Sequence, residues 1–95
     1  MGVAPRSSVD PWERYVREIG TRLHQARIAK GLSQERLAVA ANITSYTYGK
    51  LEKGESNPGT PANPRLKTLV ALCEVLEIEL SELLPRESPA IAYQA

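Results

Sequence analysis

Residues 33–54 read SQERLAVAANITSYTYGKLEKG, and the fold follows from this stretch. Ser33 offers a side-chain oxygen to open a helix, and Glu35 complements the positive end of that helix in its first turn. Leu37, Ala38 and Ala41 supply its inner face. Asn42 is, after glycine, the residue type that most readily takes positive φ, so it permits a sharp turn before Ile43. Thr44 caps a further helix that runs through Lys53 and stops at Gly54. Two short helices joined by about three residues form a helix-turn-helix pattern. On a 3.6-residue period Tyr48, Leu51 and the neighbouring Glu52 face one way, while Ser45, Tyr46, Gly49, Lys50 and Lys53 face the other. The second of the two helices therefore has a buried side and a displayed side.

Upstream, Asp10-Pro11-Trp12-Glu13 combines a capping carboxylate, a proline at the first helical position and a glutamate three residues after the cap. Trp12, Tyr15, Val16, Ile19, Leu23, Ala26 and Arg27 carry an apolar stripe from Pro11 to about Lys30, where Gly31 ends the helix. Gly20 is its weak link, at about 1 kcal/mol relative to alanine. Downstream, Gly54 to Pro64 holds several Gly, Pro and Asn residues and reads as a rigid loop, after which Asn63-Pro64 is expected to cap and start a fourth helix. Leu66, Leu69, Val70, Leu72, Cys73 and Leu76 give that helix its stripe, and Leu80, Leu83 and Leu84 form a short fifth helix ended by Pro85. The expected organisation is a flexible segment over 1–9, one helical domain over 10–85 and a loose tail over 86–95.

Composition narrows the class. The 95 residues carry 12 Lys+Arg against 11 Asp+Glu, are 42% hydrophobic, and contain no Phe. An apolar run of five residues is far below the roughly 20 that a spanning helix needs, so no membrane segment is expected. The first residues resemble no secretory signal, and a cytoplasmic, nucleoid-associated location is expected. One cysteine, Cys73, and one histidine, His24, exclude an intramolecular disulfide and are too few for a zinc site of those residue types. No metal or cofactor is expected. Residues 1–54 carry the basic excess and 55–95 the acidic one, which directs a search for a polyanion partner to the first half.

With Gln34-x-x-Leu37-Ala38, then Asn42-Ile43-Thr44, then Leu51-Glu52-Lys53-Gly54 and Asn57-Pro58, the chain resembles the DNA-binding domain of the phage repressor and Cro family, the XRE-like regulators. The resemblance spans roughly Gly20 to Leu84 and implies an all-α, five-helix domain with the helix-turn-helix at helices two and three. It implies a sequence-specific transcriptional regulator binding double-stranded DNA, with the third helix in the major groove of a near-palindromic operator and two copies acting as a homodimer. By the same resemblance Ser45, Tyr46, Gly49 and Lys50 carry the base contacts. Tyr46 offers an apolar ring for a thymine methyl, and Lys50 suits guanine O6 and N7. Gly49 departs from members with a polar residue there. Gln34, Thr44, Thr47 and Lys53 are the implied phosphate contacts, with Thr44 first of all a cap. Arg27 and Glu52 are the implied structural ion pair, since an arginine on an apolar stripe needs a carboxylate.

Arg22, Lys30 and Arg36 read as a solvated basic rim. His24 reads as a boundary residue, and Cys73 as a small core hydrophobe. Three features depart from the family. The first helix starts about eight residues early, so Trp12, Tyr15 and Val16 must cover something, either the fourth or fifth helix or a partner. Gly59 to Arg65 lengthens a surface loop. Glu77 and Glu79 stand where smaller residues are commoner, which leaves the start of the fifth helix open by a residue or two. The alternative class is a protein-interaction module or antitoxin on the same scaffold. An enzyme has no support, because no nucleophile and base, carboxylate dyad or phosphate-cradling glycine loop stands at a recognisable spacing.

Overall fold

The Asp10 carboxylate accepts from the Glu13 amide at 3.2 Å and Pro11 occupies the first turn, so α1 begins where its cap dictates and runs over Pro11–Lys30. The computed structural model describes residues 10–92, and the expected N-terminal segment 1–9 lies outside them. Ser33 caps α2, Gln34–Ala40, through the Arg36 amide at 3.0 Å. Asn42 takes φ 63° in the turn, as its short polar side chain permits. Thr44 caps α3, Ser45–Lys53, through the Thr47 amide at 3.0 Å. Two short strands follow, β1 (Glu55–Asn57) and β2 (Thr60–Pro61), then α4 (Leu66–Leu76) and α5 (Leu80–Leu83).

The five helices enclose one core of small aliphatic side chains around a single ring. Leu23 of α1, Leu37 of α2, Tyr48 of α3, Leu72 of α4 and Leu83 of α5 are all fully buried. Each helix places its stripe inward because the apolar positions recur at three-and-four spacing, and the hydrophobic term rewards removing about 25 cal/mol per Å² of such surface from water. Cys73 lies in this core, where burial, with Glu82 and Glu79 nearby, pushes its thiol up. α3 is the central element, packed against both α1 and α2.

Four expectations need correction. The stretch after Gly54 is not an irregular loop: β1 and β2 pair antiparallel, Glu55 opposite Pro61 and Asn57 opposite Thr60, with an irregular register between Glu55 and Asn57. The signal was in the sequence, since Asn57-Pro58-Gly59-Thr60 puts proline and then glycine at the centre of a turn, and Gly59 takes φ 81° as a type II turn requires there. Asn63-Pro64 does not start α4. Ala62 is anchored twice, its amide donating to Gly54 O at 2.8 Å and its carbonyl accepting from Trp12 Nε1 at 2.9 Å, and the chain stays extended until Arg65.

Gly20 is not a weak link. A Cβ there would stand 2.5 Å from Glu52 O and 2.6 Å from Leu51 O, so glycine is what lets α1 cross the end of α3 at backbone contact. Gly54 repeats the device: a Cβ would meet Arg17 Cα at 2.8 Å. Finally, Arg22 is not a solvated rim charge, whereas Lys30 stays exposed at the rim. Arg22 Nη1 donates to the carbonyls of Glu82 at 3.2 Å and Leu84 at 3.1 Å, tying α1 to the end of α5. Lys30 pairs with Glu77, whose carboxyl it holds below the usual range. Arg36 is exposed.

The early start of α1 reaches the hairpin through Trp12, while Val16 enters the common core and Tyr15 lies beside Pro85 and Arg86, just past α5. Trp12 stacks on Tyr15, ring centroids 5.5 Å apart, and both lean on the core with Trp12 bonded to the carbonyl that follows β2. Glu77 ends α4 at φ 60°, and α5 opens after Glu79, whose amide donates to Glu82 Oε1 at 3.1 Å.

Candidate nucleic-acid interface

α3 is seated by one carboxylate. Glu52 Oε2 accepts from Arg27 Nε of α1 at 2.6 Å and from the Tyr48 hydroxyl at 2.5 Å; Oε1 accepts from Arg27 Nη2 at 3.2 Å and from Gln34 Nε2 of α2 at 2.9 Å. The Glu52 side chain is 8% exposed and that of Arg27 11%. Burial pushes the Glu52 carboxyl up, but the hydrogen bonds from Arg27, Tyr48, Gln34 and His24 outweigh it and hold it at about 2. The hydrogen bond to Glu52 raises Arg27 further, and burial followed by the bond to Glu52 raises Tyr48. Arg27 Nη1 also donates to Leu32 O at 2.9 Å, fixing the entry to α2. His24 Nδ1 stands 3.2 Å from both Glu52 Oε1 and Arg27 Nη2 at the exposed edge of this network.

The opposite side of α3 is open. Ser45, Tyr46, Thr47 and Lys53 are exposed and Lys50 is half-buried. Tyr48 and Leu51 go into the core as the helical period requires. Lys50 Nζ lies over the Tyr46 ring, 4.3 Å from its centroid. Thr44 and Thr47 stand together at the start of the helix, their hydroxyls 3.0 Å apart, so Thr44 spends its oxygen on the cap and on its neighbour.

Gln34 has a double position. Its amide nitrogen is committed to Glu52, while its Oε1 would stand 3.5 Å from a Cβ on Gly49. The residue expected as a phosphate clamp thus also belongs to the lock that seats α3, and Gly49 lies beside it rather than at the outermost edge.

A cleft of about 390 Å³ adjoins Lys50, walled by Thr47, Glu55, Ser56, Asn63, Arg65 and Thr68 among others. Sequence reasoning placed none of the last three beside α3. They follow it by ten residues or more, and the hairpin that returns them was read as a loop. The pair Arg65 and Lys67 at the start of α4 was the available signal.

Comparison with known proteins agrees with this geometry. The helix-turn-helix domain family matches residues 18–84. The chain belongs to that family. The resemblance to repressor and Cro-type domains read from the sequence is borne out, as is the five-helix fold, with the small hairpin as an addition. The chain is similar in structure to the restriction-modification controller protein C.AhdI from Aeromonas hydrophila, with TM-score 0.64 and 35% identity over 73% of this chain and 96% of that one. It is also similar to the master regulator for biofilm formation SinR in complex with DNA, with TM-score 0.59 and 28% identity over 68% and 95% of the two chains. A curated relative, the SPbeta prophage-derived uncharacterized HTH-type transcriptional regulator YonR of Bacillus subtilis strain 168, is 42% identical over 65 residues, 68% of this chain and 55% of the relative. The chain therefore spans about half the length of that relative. The match to the family starts at residue 18, so the first turns of α1, with Trp12 and Tyr15, precede it.

Proposed function

We propose that this helix-turn-helix chain is a sequence-specific, DNA-binding transcriptional regulator that sets α3 in the major groove. The observation that carries the reading is the division of α3. One side is locked to α1 and α2 through Glu52, and the other presents Ser45, Tyr46, Thr47 and Lys50 on a rigid helix. A groove that admits one α-helix and displays donors and acceptors along its base edges is matched by such a surface. Ser45, Tyr46 and Lys50 meet base edges, with Gly49 allowing close approach. Thr47 and Lys53 meet phosphates directly, Gln34 does so with the second hydrogen of the amide it gives to Glu52, and Thr44 by turning its hydroxyl away from Thr47; together they set the register. Two similar proteins, an HTH-type transcriptional regulator and a regulator solved in complex with DNA, support the same reading.

One module buries about 600 to 1,000 Å² on DNA, little for a specific site, so two copies bind a near-palindromic operator with half-sites one turn apart. Trp12 and Tyr15 are half-buried against the core, whereas Leu66 and Val70 of α4 remain exposed and offer an apolar surface for the second copy.

Fluorescence anisotropy against random duplex at several salt concentrations tests the reading. Weak binding that falls steeply with salt is expected, and its absence would sink the proposal. Selection from a random pool should then return paired half-sites, and Lys50→Ala should weaken specific binding by about 1 to 3 kcal/mol at one base position rather than uniformly.

A further inference from the structure

Tyr46 and Lys50 stand one turn apart on the open side of α3, and the contact between them is already made in the free protein. Tyr46 is 72% exposed and contributes nothing to the core, so neither burial nor packing accounts for the ring. An ammonium held against the negative face of a ring is restrained, and the attraction strengthens as water leaves the site. Lysine is otherwise a mobile point charge on a four-carbon stem and a poor reader of position.

The geometry also sets what the two groups can touch together. With one face occupied by the ammonium, the ring presents its edge and other face, an apolar surface suited to a methyl group. The 4.3 Å between ammonium and ring centroid is close to the roughly 3.4 Å that separates successive bases along a strand. Ring and ammonium are therefore close enough to reach two neighbouring base pairs together. In the major groove the methyl is that of thymine, and the acceptors suited to an ammonium are guanine O6 and N7.

Resting on the DNA-binding reading above, we infer that Tyr46 and Lys50 read a neighbouring thymine and guanine as one unit, the ring packing on the thymine methyl and holding the ammonium over the guanine. Tyr46 is then a positioning residue for a base it does not touch, and preferences at the two positions are coupled rather than additive.

The test uses the full chain and duplexes it selects from a random pool, with the thymine replaced by deoxyuridine, which lacks the methyl, or the guanine by 7-deazaguanine, which lacks N7. Each replacement should weaken binding by about fivefold or more. Tyr46→Phe keeps the ring and should keep both preferences. Tyr46→Leu should lose discrimination at the guanine as well as at the methyl, and Lys50→Met should lose it at the guanine. Tyr46 is exposed and Lys50 is half-buried outside the core, so thermal unfolding of the variants should stay close to the parent. Selected duplexes without adjacent thymine and guanine, or a Tyr46→Leu protein with full guanine preference, would overturn the inference while salt-sensitive binding to random duplex persisted. Loss of that binding in the parent chain would overturn the DNA-binding reading itself.

Discussion

The two sides of α3 differ in how they are held. Toward the core, Tyr48, Leu51 and Glu52 are fixed by α1 and α2 through packing, three hydrogen-bonding partners of Glu52 (His24, Arg27 and Gln34) and a backbone-to-backbone crossing at Gly20. Toward solvent, Ser45, Tyr46, Thr47 and Lys53 are exposed, and the contacts of this side are few, Lys50 with Tyr46 and Thr47 with Thr44. A helix of nine residues is marginal by itself, so the first side supplies the order that the second displays. On the proposed DNA-binding reading this asymmetry is what readout uses, because a firmly seated helix holds its displayed groups in one position against the base edges.

Breaking the locked side should produce the largest change. Glu52→Gln leaves Arg27 without a carboxylate among buried neighbours, and should cost about 3 to 5 kcal/mol in urea unfolding. A loss below about 1 kcal/mol would mean that apolar packing alone seats α3. Acid probes the same group without mutation. Its folded value of about 2 lies below the ordinary 4.5, so its contribution of about 3 kcal/mol is present in full above pH 4.5 and lost as pH falls through about 2. In Glu52→Gln this part of the acid dependence should disappear, which separates Glu52 from the other carboxylates.

Gly20→Ala sharpens the comparison by sign. Helix propensity alone predicts a gain of about 1 kcal/mol, whereas contact with the Glu52 and Leu51 carbonyls predicts a loss of about 1 to 3 kcal/mol, and thermal unfolding decides between them. The smallest effect is expected from Trp12→Phe, which removes one bond to Ala62 O and should cost about 1 kcal/mol. Hydrogen exchange should then quicken in residues 55–62 but not in α3. Quickening in α3 would show that the hairpin also braces the displayed helix.

How much was legible depended on the range of the interaction. Caps at Asp10, Ser33 and Thr44, the positive φ of Asn42 and the inward set of Tyr48 and Leu51 follow from residues within one or two turns of each other, and the sequence reading matched them. Arg27 and Glu52 were paired by resemblance, 25 positions apart. Arg22 was read as a solvated charge because nothing near it reveals the end of α5, sixty residues on. The hairpin was missed although its turn residues were plain, because strands of two and three residues show no alternation to count.

The amino-acid order by itself determined that there are five helices, the caps of the first three, the inward stripes and the polar composition of α3, since each depends on local hydrogen bonding and a 3.6-residue period. The tertiary structure alone decided that Gly20 is a crossing point, that Gln34 is tied to Glu52, that Trp12 closes over the hairpin, and that Asn63, Arg65 and Thr68 stand beside Lys50. Those facts depend on which surfaces meet when the chain closes on itself, and steric contact between distant segments leaves no trace in the pattern of either.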